Sequence, residues 1–245
     1  LGIGAVINKP LFTPPDNPWN RDISKAPVDP QSDRLIASMG ADKPLRAEFG
    51  AFYQGAPNGI PYVVVAGTHG KTTTTCMAAV LLKANGTEPG WLVGGVPRDL
   101  PDSSHPGQKG GPFVIEGDEY DTAFFDKTPK FLHYHPRTAI LTSVEFDHAD
   151  IYQDLAAVKS AFRELVDGMP EEGSLIAAWN HANVREVVEG SACRVLGYAV
   201  EPVDGSVDPG EVDFYASDVR VEPGGTGFSL SAPGWKGAEC LLPSM

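Results

Sequence analysis

This sequence of 245 residues has few cysteines and few basic residues. Its three cysteines, Cys76, Cys193 and Cys240, are far apart and odd in number, so they predict neither a disulfide framework nor a cysteine metal site. We therefore expect a reducing compartment, the cytoplasm. Lysine and arginine total 19 against 32 aspartates and glutamates, a formal net charge of −13. That balance argues against nucleic-acid binding, which needs clustered basic residues.

Long apolar runs are also missing. A helix across a membrane needs about 18 consecutive apolar residues, and the sequence has no such run, so we predict no membrane span. The first residues lack the basic and apolar regions of a signal peptide. The hydrophobic content of 42% and the charged content of 21% are those of a globular protein.

The first 60 residues form a region of distinct composition. They are rich in Pro, Asp and Asn and contain six basic and six acidic residues, so the whole net negative charge lies beyond them. We predict mostly loop there, with one short helix or strand at 34–38. The opening LGIG lacks the third glycine of a dinucleotide-binding motif. We assign residues 1–60 to an irregular segment and residues 61–245 to a nucleotide-binding domain.

From residue 61, strand-like and helix-like segments alternate. Strands are predicted at 61–66, 91–95, 113–118, 138–144, 174–179 and 194–200, and helices at 71–85, 156–167 and 182–189. After residue 201 short antiparallel strands with a glycine-rich hairpin turn are predicted. The predicted fold is therefore α/β: a P-loop-containing, mostly parallel sheet with helices on both faces, plus a small C-terminal antiparallel β element.

A candidate phosphate-binding loop lies in VVVAGTHGKTTTT, residues 63–75. A strand precedes the loop and a helix begins in it, so backbone N–H groups can point at one anion. Lys71 would neutralise phosphate charge and the Thr72 hydroxyl would bind Mg²⁺. Val65 replaces the first glycine of the standard motif, and an ordinary strand–turn–helix junction with an exposed lysine is the alternative. The predicted ATP-binding residues are Gly67, Thr68, His69, Gly70, Lys71, Thr72 and Thr73.

Two acidic segments follow other predicted strands. EGDEYD occupies 116–121, and Glu116, still on its strand, is the first candidate for a carboxylate ligand of Mg²⁺. EFDHADIY occupies 145–152, where His148 could bind a metal while Asp147 or Asp150 orients its ring. Each segment could instead be a solvated turn.

Together, GTHGKTTTT, VIEGDEYD and DHAD resemble the Mur ligases, the ATP-dependent amide-forming enzymes of bacterial cell-wall synthesis. The stretch EGDEYDTAFFDKTPKFLHYHPRTAILTSVEFDHADIY is similar to the murein peptide ligases of that family. The resemblance implies an enzyme that joins L-Ala-γ-D-Glu-meso-diaminopimelate to UDP-N-acetylmuramate through an acyl phosphate. It also implies ATP and Mg²⁺ as cofactors, Lys71 and His148 as catalytic residues, Thr72 and Glu116 as ligands of one metal ion, and His148 as a ligand of a second.

The resemblance covers residues 61–200 and, more loosely, 201–245. Residues 1–60 do not resemble the UDP-sugar domain of these ligases, and we expect residues 61–245 to lack the C-terminal ligase domain. We therefore expect this chain to bind ATP and Mg²⁺ but not to complete ligation alone. The alternatives are a UDP-N-acetylmuramate–L-alanine ligase and a non-catalytic ATP-binding module. The oligomeric state is open.

Overall fold

The computed structural model describes residues 30, 52–53, 56–57, 62–108, 110–123, 126–147, 149, 151–202, 206–235 and 237–243. Apart from Pro30, these residues belong to one unit, Ala47–Met245. The element predicted at 34–38, the LGIG segment, His148 and Asp150 lie outside the described residues. In the described part of the chain, no helix combines the length and the apolarity that crossing a membrane requires.

The described part of the chain contains β-strands, α-helices and two short 3-10 helices, each set given below in chain order. The strands are β1 (Phe52–Tyr53), β2 (Ala56–Pro57), β3 (Tyr62–Ala66), β4 (Gly90–Leu92), β5 (Ser104–His105), β6 (Phe113–Gly117), β7 (Asp121–Ala123), β8 (Asp126–Pro129), β9 (Thr138–Leu141), β10 (Ser174–Ala178), β11 (Arg194–Val200), β12 (Phe214–Glu222), β13 (Gly225–Ser231) and β14 (Ala238–Pro243). The α-helices are α1 (Lys71–Ala84), α2 (Leu155–Asp167) and α3 (Ala182–Val188). Two 3-10 helices cover Lys130–His133 and Pro209–Glu211.

Most of these strands form one mixed sheet. Its strand order is β14-β13-β12-β11-β10-β9-β3-β6-β4-β5. All neighbours from β12 to β4 are parallel, whereas β13, β14 and β5 pair antiparallel. Strand β12 is parallel to β11 and antiparallel to β13, so the C-terminal strands extend the main sheet. The predicted α/β fold with a C-terminal antiparallel element is confirmed.

Alternate residues of β3 face opposite sides of the sheet, as a strand requires. Val64 and Ala66 belong to the larger apolar cluster, to which α2 and α3 contribute, whereas Val65 belongs to a second cluster that includes residues of α1. Helices therefore cover both faces. This double burial explains why β3 is a continuous run of apolar residues.

Helix α1 packs on the sheet through Thr75 and Ala79, which are both fully buried. These positions are one turn apart and therefore lie on the same side of the helix. The sequence pattern predicts Met77, Val80 and Leu81 on the inner face of this helix, and for Leu81 that prediction is wrong: Leu81 is 66% exposed. Six residues after Thr75, its side chain lies well around the helix from the buried face. The helix ends before Gly86, whose φ of +81° is a common helix-terminating conformation.

Candidate nucleotide-binding site

The loop that connects β3 to α1 depends on two glycines. Gly67 has φ +134° and Gly70, the N-cap of α1, has φ +80°. A Cβ atom on Gly67 would lie 2.2 Å from Thr142 Oγ1 and 2.8 Å from the Ser143 backbone nitrogen. Only glycine therefore fits between β3 and the segment that follows β9.

Residues 142–145, which follow β9, hold this loop through side-chain hydrogen bonds. The Thr68 hydroxyl accepts from the Glu145 N–H at 2.9 Å and donates to the Glu145 carbonyl at 3.2 Å. The His69 N–H donates to Ser143 Oγ at 3.0 Å, and the Thr142 hydroxyl donates to the His69 carbonyl at 2.6 Å. The strand predicted at 138–144 therefore ends at residue 141, because the residues after it bind the loop.

Lys71 turns its ammonium group towards protein acceptors. Its Nζ donates to the Gly67 carbonyl at 2.9 Å and to the Thr68 carbonyl at 3.3 Å, and it lies 2.8 Å from Glu119 Oε2. The Lys71 side chain is only 16% exposed. The structure therefore differs from an ordinary strand–turn–helix junction with a solvent-exposed lysine.

Thr72 and Glu116 meet beside the loop. The Thr72 hydroxyl donates to Glu116 Oε2 at 3.0 Å, and the other carboxylate oxygen accepts from the Gly94 N–H at 2.6 Å. Glu116 lies on β6, the parallel neighbour of β3, so both residues stand at the carboxyl edge of the sheet. A hydroxyl and a carboxylate are hard oxygen ligands, and this pair therefore suits Mg²⁺.

The third predicted segment reaches the same edge only in part. The Glu145 carboxylate lies 3.8 Å from His69 Nε2 and 3.8 Å from His181 Nδ1, and Asp147 is exposed. His148 is outside the described residues. Among the residues that are described, no three His, Cys, Asp or Glu side chains are grouped as a metal site. A second metal site that includes His148 stays a prediction.

Thr73, the last of the predicted ATP-binding residues, lies exposed on the first turn of α1. The loop residues 67–72 and Thr73 are thus contiguous at one end of the helix. Their roles as ATP ligands stay predictions, because the arrangement shows where they stand and not what they bind.

Glu119, which sequence reasoning missed, lies beside Asp118 on the same loop. Burial by itself raises the pKa of the Asp118 carboxyl, but hydrogen bonds from the Lys130 ammonium at 2.7 Å and the Tyr120 N–H at 3.1 Å outweigh it and lower that pKa. Asp118 therefore stays charged and binds Lys130, while Glu119 binds Lys71. The only signal in the sequence was the acidic run EGDEYD, which does not tell which carboxylate points inwards.

Comparison with known proteins decides the family. The model described as the Mur ligase middle domain matches residues 65–245. This chain belongs to the Mur ligase family. The predicted resemblance, made on the loop and the two acidic segments, is confirmed.

Two curated relatives show how far the similarity extends. The UDP-N-acetylmuramate–L-alanyl-gamma-D-glutamyl-meso-2,6-diaminoheptandioate ligase of Escherichia coli (strain K12) is 50% identical over 126 residues, which cover 51% of this chain and 27% of that relative. The UDP-N-acetylmuramate–L-alanine ligase of Salinibacter ruber (strain DSM 13855 / M31) is 32% identical over 196 residues, 79% of this chain and 36% of that relative. The chain therefore spans about a third of the length of these relatives.

A solved structure agrees with the sequence comparison. The UDP-N-acetylmuramate:L-alanyl-gamma-D-glutamyl-meso-diaminopimelate ligase from Neisseria meningitides superimposes with a TM-score of 0.63 at 36% identity. The match covers 76% of this chain and 56% of that one. The predicted similarity to the murein peptide ligase branch of the family is therefore also confirmed.

Proposed function

We propose that this chain is the ATP-binding part of a ligase that joins L-alanyl-γ-D-glutamyl-meso-diaminopimelate to UDP-N-acetylmuramate. The observation that carries the proposal is the grouping of Lys71, Thr72 and Glu116 at the ends of the parallel strands β3 and β6. Ligands of α/β sheets bind outside the carboxyl ends of the strands. The 50% identity to the Escherichia coli ligase supports the choice of peptide and sugar nucleotide.

The proposed reaction needs charge neutralisation and positioning rather than a protein nucleophile. ATP would transfer its γ-phosphoryl group to the carboxylate of UDP-N-acetylmuramate and leave as ADP. The peptide amine would then attack the carbonyl carbon of the acyl phosphate, displace inorganic phosphate and lose a proton as the amide forms. Lys71 and the backbone N–H groups of the loop would bind and orient the phosphates of ATP. Thr72 and Glu116 would hold Mg²⁺, which when bound would neutralise phosphate charge. His148 is proposed to assist through a second metal ion.

The domain assignment and the location belong to the same proposal. Residues 61–245 would be the central ATP-binding domain, and residues 1–60 a separate segment. The three cysteines are free thiols, which supports a reducing compartment and hence the cytoplasm.

The direct test is ATP binding by the 245-residue chain in the presence of Mg²⁺, measured by isothermal titration calorimetry. Lys71→Met should weaken binding about 10- to 100-fold, the effect of losing charge-assisted hydrogen bonds to phosphate. Lys83→Met is the matched control, because it removes the same charge near the opposite end of α1. Equal affinities for the two variants would contradict the proposed site.

The L-alanine-adding ligases are the second candidate, because the Salinibacter ruber enzyme aligns over 79% of this chain, more than the 51% of the Escherichia coli relative. ADP release in the presence of UDP-N-acetylmuramate separates the candidates. Release that depends on the tripeptide supports the proposed reaction, and release that depends on L-alanine supports the second candidate. ATP binding without release with either amine fits an ATP-binding module that does not complete ligation alone.

A further inference from the structure

Glu119 is the one charged residue among the buried polar side chains of the described part of the chain. It is 2% exposed, and the others are Thr68, Thr75 and Ser143. Burying a carboxylate is costly unless a cation and hydrogen bonds compensate it. Glu119 lies outside the ligand set Thr72 and Glu116, so its burial needs a separate explanation.

The cation that compensates Glu119 is Lys71. Its Nζ lies 2.9 Å from Glu119 Oε1 and 2.8 Å from Oε2, while the carbonyl groups of Gly67 and Thr68 accept from the same nitrogen. An ammonium group has three N–H donors. Two carbonyl groups and one carboxylate therefore occupy the donors that a phosphate would use.

The position of Glu119 is itself fixed. The Tyr152 hydroxyl donates to the Glu119 backbone carbonyl at 3.0 Å in a buried bond. Burial, followed by the nearby Glu119 and Asp121 carboxylates, raises the pKa of Tyr152 to about 12, so the hydroxyl stays protonated and remains a donor at neutral pH. The backbone of Glu119 is therefore held in place by Tyr152, which precedes α2 in the chain.

From this geometry we propose that Glu119 is a positioning residue that binds the Lys71 ammonium and competes with the phosphates of ATP for it. The inference rests on the proposed nucleotide site. ATP would have to displace part of an existing ion pair before Lys71 could contact it. The negative charge of Glu119 should therefore weaken ATP binding, most of all when no metal ion supplies the missing positive charge.

The test measures ATP affinity with EDTA present, for the wild-type chain and for Glu119→Gln. The amide keeps the shape of the side chain but loses its charge, so we expect ATP to bind about tenfold more tightly, the equivalent of one competing charge-assisted hydrogen bond. A purely structural role would leave the affinity unchanged or weaken it. Either of those results overturns the inference.

Asp118→Asn is the matched control, because it removes an equal charge from the adjacent residue, which binds Lys130 instead. Its effect should be at most twofold, and an equal gain for both variants would overturn the inference in favour of a general charge effect.

Should Glu119→Gln fail to fold, Glu119→Asp keeps the charge but shortens its reach to Lys71. We expect tighter binding there too, and weaker binding overturns the inference. A wild-type chain that binds no ATP even with Mg²⁺ would overturn the proposed function as well.

Discussion

Two regions of the sheet have similar polar contacts in very different surroundings. At the carboxyl edge, the loop 67–70 is bonded to residues 142–145, and Thr68 and Ser143 are only 7% and 4% exposed. At the far side, Arg220 of β12 pairs with Glu239 of β14 at 2.8 Å, but their side chains are 50% and 69% exposed. Judged by hydrogen-bond and ion-pair distances alone, the two regions would be expected to contribute equally to stability.

Burial decides which contacts determine the structure. Around the loop, Thr68 and Ser143 are buried, so water has little access to the bonds that these two residues make, and breaking one of them leaves a donor or acceptor poorly compensated. On β12 and β14, water and salt compete with the ion pair, and backbone pairing with β13 already positions both strands. The loop should therefore be sensitive to single substitutions and the C-terminal strands tolerant of them.

The largest effect is expected for Gly67→Ala. The new methyl group would overlap Thr142 Oγ1, at a φ that side chains rarely adopt. We expect a loss of about 3 kcal/mol or more in the free energy of unfolding, together with loss of ATP binding. Gly190→Ala is the control, because Gly190 also has a positive φ, +70°, but no atom lies within 4 Å of its added Cβ. Chemical denaturation should show a loss of only about 1 kcal/mol there, and equal losses would contradict the steric explanation.

A smaller effect is expected for Ser143→Ala. It removes the acceptor of the His69 N–H in a buried position, and this should destabilise the fold by about 1 kcal/mol and weaken ATP binding. Ser229→Ala removes a shorter bond, 2.6 Å to Glu239 Oε1 against 3.0 Å from the His69 N–H to Ser143 Oγ, from the exposed strands. Paired denaturation curves should show the larger shift for Ser143→Ala, and the reverse order would invalidate the contrast between the two regions.

The smallest effect is expected for Arg220→Ala. This change breaks the pairs with Glu239 and Glu222 where all three side chains are largely exposed. The thermal midpoint should stay within measurement error of the wild type, and any difference at low ionic strength should disappear in 1 M NaCl. A clear drop in the thermal midpoint that persists in high salt would show that these ion pairs stabilise the fold beyond what the backbone pairing of the strands provides.

Local patterns in the sequence were enough to predict the α/β order and the loop before α1. Strand β3 is a short β-branched run, and the glycines and Lys71 follow it directly. The contacts of Thr142 and Ser143 were not predictable, because they depend on the register between β3 and β9 and not on any local period. The inward orientation of the Glu119 side chain was not predictable for the same reason, because it depends on contacts with Lys71 and Tyr152, which are distant in the sequence. The prediction for Leu81 was wrong because Met77, Val80 and Leu81 have the i, i+3, i+4 spacing of one helix face, whereas the face of α1 that is fully buried contains Thr75 and Ala79.

The bonds that shape the phosphate loop also have a consequence for the order of folding. Thr68 and His69 bind partners 73 to 77 residues further along the chain. During synthesis the ribosome adds Gly67, Gly70 and Lys71 long before it adds residues 142–145. Contacts between such distant residues form late, after the intervening chain has been brought together. A nascent chain that ends before residue 142 therefore carries the loop's sequence without its geometry. With the proposed function, nucleotide would not assist the first steps of folding, and its binding would report that β9 has docked beside β3.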